Sequence, residues 1–229
     1  MKSSNSKDKI SGKTFKVPKE INLQIKNKVY NLIILDESGS MESIKSNIII
    51  GFNEVIQTIK SMEKKFPEQE HFISFITFNG TGIKTILENQ PVKKAAELNE
   101  KMYKPNSLTP LFDAIGTGIN NLRNKIENEK NCDVLVTILT DGLENASKEY
   151  SGKQIKELIE ILKMNNWTFT YIGTDHDIDK VADSISINNT ISFNRDEISM
   201  KAMFVKESEL RMMRCEEISE KHKKINLFE

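Results

Sequence analysis

The chain has 229 residues, 38% of them apolar and 29% charged, and its formal charge is zero. That length accommodates one α/β domain with short appendages, and the composition excludes the disordered and fibrous classes. No stretch approaches the roughly 18 consecutive apolar residues that cross a bilayer. Cys132 and Cys215 are too few for a disulfide framework and fit a reducing compartment.

Charge is uneven along the chain. Residues 1–28 carry eight lysines against Asp8 and Glu20, a local excess of +6 that the remainder offsets. We expect a solvated tail over residues 1–27. A basic segment can also touch phosphate backbones or anionic lipid, but no aromatic ladder or amphipathic pattern accompanies these lysines, so neither nucleic acid nor membrane is expected as a partner. The segment has no apolar h-region of the secretory kind. The expectation is a soluble, cytoplasmic protein.

Regular patterning starts at Val29. Val29–Leu35 is a near-continuous apolar run, as in a strand buried on both faces of a parallel sheet. A helix then opens near Met41, with Ile44, Ile48, Phe52, Val55, Ile59 and Met62 at steps of three or four. His71–Phe78 reads as a strand, Asn79-Gly80 as a tight turn, and Ile83–Leu87 as an antiparallel strand. A helix is predicted from Pro110, capped by Thr109, to about Lys130. The strand Val134–Leu139, the helix Gln154–Met164 and the strand Trp167–Ile172 follow, then the short helix Ile178–Ile185 and the edge strand Ile191–Phe193. Ile198 to about Lys223 closes the chain as a long helix. Met203, Leu210 and Met213 are expected to pack on the sheet, whereas Met212 need not.

This alternation predicts an α/β fold: a three-layer, doubly wound, mainly parallel sheet with one antiparallel edge strand, spanning about residues 28–205. Residues 206–229 form the end of the last helix and a tail. Crossovers in such sheets are right-handed, and ligands bind beyond the carboxyl ends of the strands where strand order reverses.

Three loops carry oxygen ligands at that edge: Asp36-Glu37-Ser38-Gly39-Ser40, Ser107-Leu108-Thr109-Pro110-Leu111 and Thr140-Asp141-Gly142. Two carboxylates and three hydroxyls make an all-oxygen, hard-donor set suited to Mg²⁺, Mn²⁺ or Ca²⁺ rather than zinc. Gly39 is expected to turn the backbone so that Ser38 and Ser40 face one point. Taken singly, Ser40 and Thr109 also read as helix caps, and Asp141-Gly142 as a turn. The convergence of three separate loops favours metal.

Asp36-x-Ser38-x-Ser40, Thr109-Pro110-Leu111 and Thr140-Asp141-Gly142 together resemble the von Willebrand factor type A domain and its metal-ion-dependent adhesion site. The string Leu139–Asn145 looks like that of bacterial, intracellular members. The resemblance implies hydroxyl ligation by Ser38, Ser40 and Thr109, with Asp36 and Asp141 acting directly or through water. It also implies a protein partner whose exposed Asp or Glu completes the shell, and AAA+ ATPases and bacterial kinase–phosphatase stress modules are candidate neighbours. Glu37, Ser107, Leu108, Glu144, Asn145 and Asp175 are expected to line the partner-binding rim. In some relatives the last helix moves when the site is engaged; a fixed packing helix is the simpler expectation.

An enzyme is the rival reading. A haloacid dehalogenase-type phosphatase would use Asp36 as nucleophile with Mg²⁺, but its second aspartate, the general acid, is replaced here by Ser38, whose hydroxyl has no useful acidity. Ser38 and Ser40 lack a G-x-S-x-G frame, and His71, His176 and His222 lack the setting of a base. Thr174–Asp177 reads as a cap for the helix at Ile178 or as a second ligand group.

Overall fold

The computed structural model describes residues 26–129, 132–174 and 178–225. Most of the lysine-rich start lies outside the described residues, as do Lys130 and Asp175-His176-Asp177.

Six strands form one sheet in the order β3-β2-β1-β4-β5-β6. They are β1 (Asn27–Asp36), β2 (Gln69–Asn79), β3 (Gly82–Pro91), β4 (Cys132–Leu139), β5 (Trp167–Gly173) and β6 (Asn189–Ser192). All neighbours pair in parallel except β2 and β3. The helices are α1 (Lys45–Lys65), α2 (Leu111–Ile126), α3 (Gly152–Lys163), α4 (Ile178–Ser184) and α5 (Glu197–Ile225). The sheet is therefore the mainly parallel, three-layer arrangement that the alternation of apolar runs predicts.

Period-two alternation divides β1 between two cores. Tyr30, Leu32 and Ile34 face α2, α3 and α4, while Ile33 and Leu35 face α1 and α5. Full burial of an aliphatic side chain contributes roughly 1.5–3 kcal/mol, so both faces anchor the central strand. The chain first moves outward from β1 to β2 and β3, then returns to β1's other side as β4. Strand order thus reverses between β1 and β4, where a ligand crevice is expected.

Several local expectations shift. The hairpin turn is Gly80-Thr81, one residue later than predicted, because Asn79 still pairs with Gly82 and its side chain accepts hydrogen bonds from the Thr81 amide and hydroxyl. The first helix is preceded by a 3₁₀ turn at Gly39–Ile44. α2 starts at Leu111, one residue after Pro110. α5 runs unbroken past residue 206 with Cys215 and Ile218 buried. On that helix Met213 is 54% exposed, whereas Met212 packs against the cluster of Val29, Met62, Phe66, Leu135, Cys215 and Ile218; the expected roles of the two are exchanged. A groove of about 990 Å³ runs between α1 and α5, and none of the strand-end loop residues lines it.

Candidate metal centre

Register explains how two distant loops meet. Leu35 pairs with Leu139 on adjacent parallel strands, so Asp36 and Thr140 follow side by side, about 4.8 Å apart in strand spacing. Each also continues the face that carries Ile34 and Ile138 towards α2. The Thr140 hydroxyl accordingly donates to Asp36 Oδ2 at 2.6 Å, and the Ser38 amide donates to Asp36 Oδ1 at 2.7 Å. Tyr103 donates its hydroxyl to the Asp36 carbonyl at 2.7 Å. Asp36 is fully buried. Burial and, less strongly, the Asp141 charge push its carboxyl up to about 6, against the opposing pull of its hydrogen bonds.

A chain of oxygens leads from there to the second carboxylate. Ser38 Oγ and Ser40 Oγ are 3.2 Å apart, and Ser40 Oγ donates to Asp141 Oδ1 at 2.5 Å. Thr109 is buried, and a Cβ built on Gly142 would stand 3.7 Å from Thr109 Oγ1 and 4.0 Å from Ser40 Oγ. All three loops therefore border the space above Gly142. Neither hydroxyl caps a helix: α1 and α2 begin after Ile44 and Pro110, with no side-chain cap bond at either. The cap reading of Ser40 and Thr109 gives way because a 3₁₀ turn and a proline intervene. Gly39 does not occupy the left-handed backbone region, and a Cβ there would touch Ser107 at an ordinary 3.5 Å. Its amide bond to the Ser107 carbonyl, 3.0 Å, is what ties the first loop to the second.

The expected rim residues divide into two kinds. Ser107, Leu108 and Asn145 are exposed, and Asn145 clasps Thr109 through Thr109 N to Asn145 Oδ1 at 2.9 Å and Asn145 N to Thr109 O at 3.2 Å. Glu144 is half-buried and spends its carboxylate on the amides of Phe112, Ala146 and Ser147, the first of these at the positive end of α2. Glu37 is not on the rim. It is buried, because alternation after Asp36 turns it to the opposite side, where it accepts bonds from the Thr77 hydroxyl, Lys84 and the Lys104 amide. Asp175 lies outside the described residues.

Two contributors carried no motif signal, Tyr103 behind the strand end and Arg195, while Thr140 belongs to the third loop's motif and serves as the donor to Asp36. Arg195 Nη2, from the turn before α5, lies 3.4 Å from Asp141 Oδ2. That oxygen is buried and makes no hydrogen bond.

The donor set fits a hard divalent cation. Two buried carboxylates sit among neutral hydroxyls, one carboxylate oxygen makes no hydrogen bond and has the Arg195 guanidinium 3.4 Å away, and all candidate ligand atoms are oxygen. Among the described residues no group of three His, Cys, Asp or Glu could hold a metal, so any ion here would rely on hydroxyls beside two carboxylates. The phosphatase alternative finds no support. Both Asp36 oxygens are engaged and the residue is fully buried, a poor state for in-line attack on phosphorus.

Comparison with known proteins agrees with this architecture. Residues 32–206 match the model of the von Willebrand factor type A domain. No curated protein matches. Among solved structures, the von Willebrand factor domain of the type V pili tip protein Mfa5 from Porphyromonas gingivalis is 9% identical, with a TM-score of 0.54, covering 82% of this chain and 96% of that one. The pilus adhesin SpaC from Lactobacillus rhamnosus GG is 11% identical, with a TM-score of 0.55, covering 82% and 30%. Proximal thread matrix protein 1 from the mussel byssus is 14% identical, with a TM-score of 0.51, covering 83% and 47%. The chain thus spans less than half the length of the last two, and at these identities the likeness is one of fold.

Proposed function

Because the chain belongs to the von Willebrand factor type A domain family, whose members mediate protein–protein interaction and adhesion and often hold a divalent cation, we propose that it is a metal-dependent protein-binding module. Ser38, Ser40 and Thr109 would hold Mg²⁺, Mn²⁺ or Ca²⁺ through their hydroxyls, with Asp36 and Asp141 binding directly or through water. The observation that carries this reading is the hydroxyl bridge from Ser38 through Ser40 to Asp141, beside a buried carboxylate oxygen with no hydrogen bond.

Bound there, the cation would supply positive charge for an acidic side chain of a partner. The protein's part is to leave that charge under-neutralised and to keep water from the contact. At 4 Å two unit charges attract by about 1 kcal/mol in water and about 4 kcal/mol at an effective dielectric of 20. Loop rigidity serves the same end. Asp113 at the start of α2 accepts the amides of Lys148, Glu149 and Tyr150, which holds the Asp141 loop against that helix.

We further propose an intracellular setting. Cys132 and Cys215 are free and pack on opposite faces of the sheet. Among the described residues no helix is long and apolar enough to cross a membrane.

The test is stability and capture together. A divalent ion at ~100 times its dissociation constant should raise unfolding free energy by about 2.7 kcal/mol. Partners captured in Mg²⁺ should be released by EDTA and missed by Asp36→Ala. Capture that survives both treatments would refute the proposal.

A further inference from the structure

Three large apolar side chains that stand in solvent line the groove between α1 and α5: Ile50, 60% exposed, Met213, 54%, and Val205, 50%. Scattered exposed apolar residues need no explanation, but a grouped set with a polar rim marks a contact surface. The floor of this one is fixed. Phe204 seats on the Gly51 backbone, where a Cβ would stand 2.0 Å from its ring, and the Thr58 and Ser208 hydroxyls meet at 3.3 Å across the two helices. Among the described residues that line the groove, the charged ones are Glu54, Glu97 and Glu209, all acidic. An occupant therefore needs apolar side chains and positive charge together.

This chain carries such a segment, and it enters the fold beside the groove. Residues 1–25 lie outside the described residues and hold six lysines against Asp8 and Glu20. Within them, Lys13-Thr14-Phe15-Lys16-Val17-Pro18-Lys19 sets Phe15 and Val17 among three of those lysines. The point of entry is the groove's own end: Val29, near the start of β1, shares a cluster with Met62, Phe66 and Cys215, against which Met212 packs, and Met212 also lines the groove. Along α1 the groove extends from Ser61 back to Ile50, about 17 Å of helix. The stretch from Val17 to Lys26 reaches up to about 30 Å when extended, enough to bring Phe15 and Val17 to any point of it.

We propose that residues 13–19 of this same chain lie in the groove, with Phe15 and Val17 on Ile50, Val205 and Met213, and Lys13, Lys16 and Lys19 facing Glu54, Glu97 and Glu209. Attachment favours this occupant over a separate molecule, because a short tether holds a segment at an effective concentration of about millimolar. Weak contacts then suffice for occupancy. Exposed ion pairs contribute little each, so the apolar contact holds the segment and the charges direct it to this groove rather than to another apolar spot.

The test places cysteine pairs on the surface of the full chain, leaving Phe15 and Val17 intact. Thr14→Cys with Gln57→Cys, an exposed residue lining the groove, reports on docking. Thr14→Cys with Met164→Cys reports on chance encounter, since Met164 is 78% exposed between α3 and β5, at the end of the sheet where β1 begins. Both are oxidised mildly at low protein concentration, and peptide mass spectrometry locates the disulfides and separates them from any at Cys132 or Cys215. We expect the 14–57 bridge to form within one chain at least about 10-fold faster than the 14–164 bridge, and Glu54→Lys with Glu209→Lys to remove most of that advantage. Equal rates for the two pairs would overturn the proposal. So would a 14–57 bridge found only between chains, which would give the groove to a second copy. An advantage untouched by the charge reversal would overturn the match of charge on which the choice of occupant rests.

Discussion

The protein buries carboxylates on both faces of its sheet and treats them in opposite ways. On the α5 face, Glu207 and Arg211 are both buried. The Arg211 guanidinium bonds Glu207, Asn31 Oδ1 at 2.6 Å and Thr137 Oγ1 at 2.9 Å. His71 belongs to the same polar layer, beside Asn31 and Gln69. At the strand ends, Asp36 and Asp141 are equally buried, yet their partners are amides and hydroxyls, and Arg195 approaches one Asp141 oxygen from a half-exposed position at 3.4 Å. The first cluster contains its own buried cation and fixes a helix to the sheet. In the second, the cation beside Asp141 is the part-exposed Arg195, and among the described residues no buried cation bonds either carboxylate; that difference separates a structural polar core from a candidate binding site.

Arg211→Met should destabilise the fold by about 3–5 kcal/mol, because Glu207 would remain buried without a counter-charge. Adding Glu207→Leu should recover most of that loss. Urea unfolding measures both, and equal losses in the single and double variants would contradict the account.

The next largest effect is acid-dependent. Burial, aided by the Arg211 charge, lowers the His71 pKa from 6.5 to about 4 despite Glu63. A histidine held neutral in the fold contributes stability that is complete above pH 6.5 and lost as pH falls towards 4. At about 1.36 kcal/mol per unit, the loss is about 3 kcal/mol. In urea titrations across this range His71→Gln should give a flatter profile than wild type; parallel profiles would remove His71 from the explanation.

A smaller effect separates hydroxyls that cap helices from those that do not. Ser151 begins α3 with a reciprocal capping box to Gln154. Ser151→Ala should cost about 1 kcal/mol, equally in EDTA and Mg²⁺. A cost that depended on Mg²⁺ would blur the line drawn between Ser151 and the hydroxyls at the strand ends.

These contrasts mark what was legible in the sequence. Apolar runs such as Val29–Leu35 and the periodicity of α1 sufficed for the layered fold, since each element carries its own pattern. The three oxygen-bearing loops were visible because each directly follows or precedes such an element. Glu37 was misplaced because it adjoins Asp36 in sequence while alternation sends it to the other face. Ser40 and Thr109 also read as caps, and only the 3₁₀ turn and Pro110 show that they are not. Tyr103 and Arg195 reach the site through long-range packing, for which no local signal exists, and the bond of Thr140 to Asp36 follows from strand register. The exchange of Met212 and Met213 reflects one residue of helical phase, about 100° on a helix surface.

Calorimetric titration of Mn²⁺ or Mg²⁺ into the wild-type chain, Thr109→Ala and Asp141→Asn asks whether the three loops hold one cation. One saturable site is expected in the wild type, with affinity at least about 10-fold weaker in each variant, a loss of about 1.4 kcal/mol or more. No saturable binding to the wild type, or equal affinity in all three, would contradict a site shared by the three loops.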